Sequence, residues 1–589
     1  MPSNAVSSNA VSSVLGFLLG KGQFSKTSPN LPQSIVILGE ANTGNQAGLV
    51  NDVPQLITSA LQGATLYGYG SPLHAALRIL FPQSGSGVSI PVYAIPQLAA
   101  GGAVAKTLFI TPTGTATANG AVYLNVIGRE TVDGGSYAVN IATGDTPAMV
   151  SVKVRAALAG VLACPVTSAA ANGIATSVIH SGSAGSGYAA NDLFTVNTGS
   201  TLATGKVLTV STGAVATYTI LTPGQGYTVA SNVATTATSG SGTGFAIDIS
   251  TLVETGAKCT AKWTGLTSND INISIDLNNT STGVTFAVTA GAAGSGTPAT
   301  ANGLASFRNQ WRTLVVNTYG LVSTTMVELE TENGIPDPVN PTGKYSPTAW
   351  RPFIALSGSI VDDPTSITSA GVRPSNVTIA VCPAPLSPGM PYEAAANMAV
   401  LCANIFQDAP ESDVIGLMYP DMPLPATNVQ PLMNGQTFRQ TCATSGCSTV
   451  ELLPTGYRVV DFITTYALQG EFPPFYRWCR DLNIHFNYKF AYALKQRQTV
   501  LGKTLVPDDS TAIGKNVIKP KMWAGDVAAL NKDFEKRAMF VEADVNNKTI
   551  DVEISSENPN RLDTTQSYQI SGIGRVLATT SDGGFFFGS

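Results

Sequence analysis

The groups to test first for chemistry are His74, His180 and His485, the only imidazoles in 589 residues. A hydrolase of the subtilisin type needs one of them as a base between an Asp and a Ser. None stands near such a pair in the order that type of triad would show. There is no G-x-S-x-G elbow. Gly16 to Lys21 falls one residue short of a phosphate-binding loop and leads into a polar stretch. Asp362-Asp363 and Asp508-Asp509 read as solvated turns. The seven cysteines (164, 259, 382, 402, 442, 447 and 479) include no C-x-x-C pair, and no His lies at metal-ligand spacing. Their odd number favours buried free thiols, with Cys442 and Cys447 as the pair that could close a short loop. The chain is therefore expected to have no catalytic site, no metal and no cofactor.

Composition points elsewhere. Charged residues make up 12% of the chain, about half the usual quarter, and the deficit is filled by Gly, Ala, Ser and Thr. A large surface with so few charges suits a protein covered by partners; a Thr/Ser-surfaced secreted or β-rich protein is the other reading. The net charge of −5 leaves no basic footprint for nucleic acid. Val14 to Leu19 is apolar but far shorter than the roughly 20 residues a membrane span needs, and lacks a basic leader before it. At this length several domains are expected.

The elements that must position any site are read in chain order. Residues 1–33 form a Ser/Asn/Ala-rich arm with one apolar segment. Residues 34–104 and 296–448 alternate strands and helices and make an α/β domain. Its strands are expected at Ile35–Gly39, Val92–Ile95, Leu314–Val316, Phe353–Leu356, Thr378–Val381 and Val414–Leu417. Its helices are expected at Pro54–Gln62, Pro72–Phe81, Ala301–Arg312, Leu321–Glu330 and Tyr392–Phe406. Residues 105–168 and 253–295 make an inserted β-rich domain, with a helix capped by Thr146 and started by Pro147. Nested in it, residues 169–252 hold a weak repeat of 39 residues: Gly185-Ser186-Gly187-Tyr188 with Asn191, and Gly224-Gln225-Gly226-Tyr227 with Asn232. This reads as an all-β surface module of two similar halves, either a passive decoration or a glycan-binding one.

Residues 449–566 form an α+β C-terminal domain. It opens with a hairpin in which Val450, Leu452, Val460 and Phe462 alternate about Pro454-Thr455-Gly456. A helix follows from Tyr476 to Gln498. A second helix places Trp523, Val527, Leu530 and Phe534 on one face. A strand with Ile550, Val552 and Ile554 comes next. Residues 567–589 carry a last strand with Tyr568, Ile570 and, beyond Gly572-Ile573-Gly574, Val576 and Leu577. It must pair with its own chain or with another, because lone strands leave backbone donors unsatisfied.

Ile463-Thr464-Thr465-Tyr466, then Trp478-Cys479-Arg480-Asp481-Leu482, then Glu557 to Asp563, in this order and spacing, resemble the C-terminal half of tail sheath proteins of contractile-tailed, Mu-type bacteriophages. The resemblance covers most of the chain outside the nested module. It implies a multidomain α/β and α+β fold with a subtilisin-like, non-catalytic middle domain. It implies a virion protein, assembled in the host cytoplasm into stacked rings of itself around a tail tube. The further partners it implies are baseplate and tail terminator proteins, with no nucleic acid and no membrane insertion. It implies that an N-terminal arm strand (Val14, Leu15, Phe17, Leu18) and a C-terminal arm strand (Tyr568, Ile570, Val576, Leu577) from other copies add to a receiving hairpin, placed at Val450, Leu452, Val460 and Phe462. Lys521, Lys532, Lys536 and Arg537 are the expected tube-facing charges. A baseplate or fibre-associated component with a glycan-binding insert is the alternative.

Overall fold

The computed structural model describes residues 29–50, 53–83, 87–132, 134–276, 282–296, 313–317, 353–365, 379–466 and 477–575. The expected helices Ala301–Arg312 and Leu321–Glu330 lie outside the described residues. The chain divides into two compact units, Pro32–Asn483 and a smaller one of Met1–Leu31 with Ile484–Ser589. The division falls inside the helix Cys479–Thr499, not at residue 449.

In the larger unit a six-stranded sheet runs in the order Ile379–Pro383, Phe353–Ser359, Thr313–Asn317, Ser34–Glu40, Val92–Gln97, Gln55–Ile57. Two neighbour pairs are parallel and three antiparallel. Ser34–Glu40 is buried from its second residue on, as its unbroken Ile-Val-Ile-Leu run requires. Helices Pro72–Leu80 and Pro391–Phe406 pack together and against this sheet. The helix expected from Pro54 starts later. Gln55–Ile57 pairs instead with Val92–Ala94, and Ser59 accepts a hydrogen bond from Gln62 N–H to start the helix Ala60–Tyr67. Proline suits an edge strand as well as a helix start, and the better cap decided. The expected strand Val414–Leu417 is irregular.

The inserted domain is built as its turns suggest. Gly120–Val126 pairs with Ala138–Ile141 and Ile273–Asp276, and Thr107–Thr113 pairs with Thr285–Ala290. Thr146 caps the helix Pro147–Ala159. Arg129 reaches from this domain to Glu393 (2.9 Å) and Asp421 (3.2 Å) of the α/β domain, and Thr267 donates to buried Glu40 (2.8 Å).

The nested module is not tethered by a linker. Val166–Ser186 and Thr243–Ala261 are single long strands, paired from Val166↔Ala261 to Ser186↔Thr243. Each belongs to the inserted domain at one end and to the module at the other. At about 3.3 Å per residue they span on the order of 60 Å. The 39-residue repeat is a structural duplication. Each half has three strands: Val166–Ser186, Leu193–Val196 and Ala203–Ser211, then Ala214–Thr222, Ala230–Ala237 and Thr243–Ala261. The repeated glycines all take positive φ (Gly185 72°, Gly187 77°, Gly224 63°, Gly226 81°), as do Asn191 and Asn232. The turns they make bury Tyr188 and Tyr227 in the module's own core with Phe194, Phe245, Val207 and Ile247.

In the smaller unit the amphipathic helix is Pro520–Lys536. Its Trp523, Val527, Leu530 and Phe534 are all at most 5% exposed, as their spacing predicts. Leu530 and Phe534 pack with Tyr488, Met539 and Phe540. Trp523 and Val527 pack with Ile518, Val552 and Leu562.

Candidate assembly site

Two hairpins after residue 448 are candidates to accept strands from another chain, and they differ at their edges. Thr449–Leu453 pairs with Gly456–Asp461, and Gly456 takes a φ of 152° at the turn. Val450 and Phe462 are fully buried; Leu452 and Val460 are half-buried. Both outer edges are occupied by the same chain. Along one, Val459 N–H donates to Leu417 C=O (2.9 Å), while Gly416 and Tyr419 donate to the carbonyls of Val459 and Tyr457 (2.8 and 2.9 Å). Along the other, Asn434 stands in for a strand: its Oδ1 accepts from Leu452 N–H (2.8 Å) and its Nδ2 donates to Leu452 C=O (3.1 Å). Val450 N–H points to Met433 Sδ (3.3 Å). An edge satisfied in this way has no main chain to offer at Leu452 and no amide to offer at Val459.

The second hairpin, Asp551–Ile554 with Leu562–Thr565, is the reverse case. Ser555 N–H bonds Arg561 C=O, so Glu553 and Asp563, in step with that pair, turn their amides inward. Val552, Ile554, Leu562 and Thr564 turn theirs outward. Among the described residues these four amides meet no partner. One face of the hairpin rests on the Pro520–Lys536 helix. Val552 and Leu562 pack on the Trp523 cluster, and Trp523 Nε1 donates to Thr564 Oγ1 (3.0 Å). The other face carries exposed Asp551 and Glu553.

The arm residues fall into two groups. Val14, Leu15, Phe17, Leu18, Val576 and Leu577 lie outside the described residues. Tyr568 and Ile570 lie among the described residues, next to or in a strand that pairs within this chain. Gln569–Ile570 pairs with Phe540–Val541 of the same chain, and Ser571 N–H donates to Met539 C=O (3.0 Å). The Tyr568 ring stacks on Phe540 (4.7 Å between centroids, 16° between planes), and its hydroxyl meets His485 Nδ1 at 2.8 Å. Burial pushes the His485 pKa down to about 4, so the ring is neutral. The signal for this anchor was weak in sequence because its partner strand is only two residues long.

The basic residues of the helix are not equivalent. Lys532 pairs with Asp544 (2.9 Å). Arg537 lies over the Phe534 ring (5.2 Å), near Asp533, and bonds Asn30. Lys521 and Lys536 are exposed.

One polar cluster escaped sequence reading. His180 Nδ1 (2.7 Å), Ser231 Oγ (2.6 Å) and Asn232 N–H (2.7 Å) all converge on Asp248 Oδ1 in the nested module. Ser231 first, then the Asn232 amide and His180, hold the Asp248 carboxyl down to about 2. A relay would place Ser and Asp on opposite ring nitrogens of the His. Here both face Nδ1, so Asp248 serves to pin the irregular Ser231-Asn232 step of its neighbour strand. Separations of 17 and 68 residues gave no motif to find. Of the module's aromatic rings, Tyr188, Phe194, Tyr227 and Phe245 are buried and Tyr218 is half-buried. All seven cysteines are free and buried, Cys442 and Cys447 included. No group of three metal-ligating side chains occurs among the described residues.

No family model and no curated protein matches this chain. Among solved structures, the baseplate of the anti-feeding prophage is similar over 38% of this chain, at 11% identity and a TM-score of 0.28; the chain spans about 60% of that protein. The sheath tail protein of Desulfitobacterium hafniense is similar over 94% of this chain and 100% of its own length, at 8% identity and a TM-score of 0.32.

Proposed function

We propose that this chain is a non-enzymatic structural subunit of a contractile phage tail sheath. Copies join into stacked rings around a tail tube by adding strands to one another's hairpins, and this sheath contracts without a nucleotide by shifting between two interface arrangements. The observation that carries this reading is the Asp551–Thr565 hairpin, held by a buried Trp while four outward amides meet no partner among the described residues. It is therefore the receiving hairpin in this proposal, in place of Thr449–Asp461. The ordered sequence resemblance from Ile463 to Asp563 supports the same reading. The donated strands come from residues 1–28 and from 572–589 of other copies; tail tube, baseplate and terminator proteins are the further partners.

Because Tyr568 and Ile570 belong to the core, the cut that tests this lies after Ser571. A chain ending there should fold, melt as the full chain does, and form no tubes where the full chain forms striated tubes in negative stain. Long tubes from the truncated chain would sink the proposal.

A further inference from the structure

Charge is unevenly shared along the chain. Residues 1–31 and 484–589 hold fifteen Lys and Arg against twelve Asp and Glu, a balance of +3; residues 32–483 hold seventeen against twenty-five, a balance of −8. The basic part also carries the most exposed large apolar side chains of the described residues, Ile513 (97% exposed) and Leu501 (75%). A bare Ile on a loop is common where the loop is loose. This loop is fastened: Lys519 Nζ donates to Ser510 C=O, Lys521 N–H to Asp508 Oδ1 (3.0 Å), and Val517 N–H to Gly514 C=O (3.2 Å).

Leu501 and Ile513 come together through topology. Thr504–Leu505 and Val517–Ile518 are parallel, with Thr504 opposite Val517. Leu501 precedes the first strand by three residues and Ile513 the second by four, so both stand at the same end of the pair. Lys503 and Lys515 enter the strands at that end, and Arg497 lies on the last turn of the helix that leads there. None of these three cations makes an ion pair among the described residues. The result is an ordered tip with two apolar knobs among three unspent positive charges.

We infer that this tip, Arg497, Leu501, Lys503, Ile513 and Lys515, docks on the acidic 32–483 part of a second copy of the chain. The opposite sign of the two parts argues for a copy as the occupant. An apolar centre ringed by cations is what a small, salt-sensitive protein contact needs. The inference rests on the self-assembly proposed above but uses a different surface from the open hairpin.

The test compares the full chain, the double variant Ile513→Asp/Lys515→Glu, and the chain ending at Ser571, by sedimentation velocity and negative stain at low and at 0.5 M salt. Both substitutions lie on exposed residues, so circular dichroism and melting should be unchanged. The expected result is a rise of at least tenfold in the concentration needed for tubes in the double variant. The truncated chain should retain weak pairing that 0.5 M salt abolishes. Tubes formed by the double variant at the concentration of the full chain would overturn the tip and leave strand addition standing. Tubes from the truncated chain but not from the double variant would do the reverse. A full chain that stays monomeric ends both. Binding to phosphatidylcholine vesicles with a third phosphatidylserine, lost in the double variant while assembly is kept, would make the tip a membrane contact and refute the second copy as its occupant.

Discussion

The hairpins Thr449–Asp461 and Asp551–Thr565 have similar lengths and opposite fates. Thr449–Asp461 has a bulge and two neighbours from its own chain, so its ladder continues into residues 416–419 and onto the Asn434 side chain. Asp551–Thr565 has one supporting helix beneath it and nothing beside it among the described residues. Alternation alone does not separate them. What does is whether the chain spends other groups on the edges, and that is where the capacity to recruit a partner resides.

Hydrogen exchange gives the widest separation. In the isolated chain the amides of Val552, Ile554, Leu562 and Thr564 should exchange almost as free peptide. The amides of Leu452 and Val459 should be slower by about a thousandfold or more, the equivalent of roughly 4 kcal/mol of local opening. In assembled tubes the four open amides should become protected and the two closed ones should barely change. Equal protection of both hairpins in the isolated chain would remove the distinction.

The open hairpin has no strand beside it among the described residues, so its support should matter more. Trp523 is 1% exposed, packs edge-on against Tyr492 at 5.3 Å and bonds Thr564. Trp523→Ala should cost about 3–5 kcal/mol, read by denaturant unfolding of the Ser571-truncated chain in 0.5 M salt. Protection at Leu452 and Val459 should survive conditions that expose Phe534. Cooperative loss of both regions at one denaturant concentration would show that they do not respond separately.

Much of this was legible before any coordinates. The four-three-four spacing from Trp523 to Phe534, the cap at Thr146, the proline start at Pro72, and the turn at Pro454-Thr455-Gly456 are local signals, and local signals set those elements. The GxGY repeat was legible too, because positive φ at two glycines and an Asn leaves a mark in residue type. What stayed hidden depends on partners far along the chain. Asn434 satisfies Leu452, Leu417 satisfies Val459, and a two-residue strand at Phe540 receives Ile570. Nothing in residues 449–466 encodes whether its edges are filled. The long strands Val166–Ser186 and Thr243–Ala261 were hidden for another reason: Gly and Ser interrupt their alternation, and the bulges in their register absorb the breaks.

Acid should loosen the region that supports the open hairpin. His485 is buried against Tyr568 with a pKa of about 4, against about 6.5 in an unfolded chain. The unfolded chain therefore takes up the proton first as pH falls. Its contribution is intact above pH 6.5 and is lost progressively down to pH 4, roughly 3 kcal/mol in all. Urea unfolding at pH 7 and pH 4.5 should show this loss, and His485→Gln should flatten the slope between them. An unchanged slope in the variant would place the acid sensitivity in other groups.

The smallest effect belongs to the closed hairpin and asks whether it can be opened. Asn434→Ala removes an acceptor from Leu452 N–H and a donor from Leu452 C=O at a half-buried edge. Each orphaned group costs on the order of 1 kcal/mol once water replaces the lost partner, so the variant should lose about 1–3 kcal/mol. Leu452 N–H should then exchange as fast as Val552 N–H. Val459 should stay protected, because its partner Leu417 is untouched. If such a chain begins to associate through residues 449–453, edge occupancy is what kept that hairpin silent. If it merely loosens and stays monomeric, an open edge is insufficient, and the rigid backing that Trp523 gives the other hairpin is the further requirement.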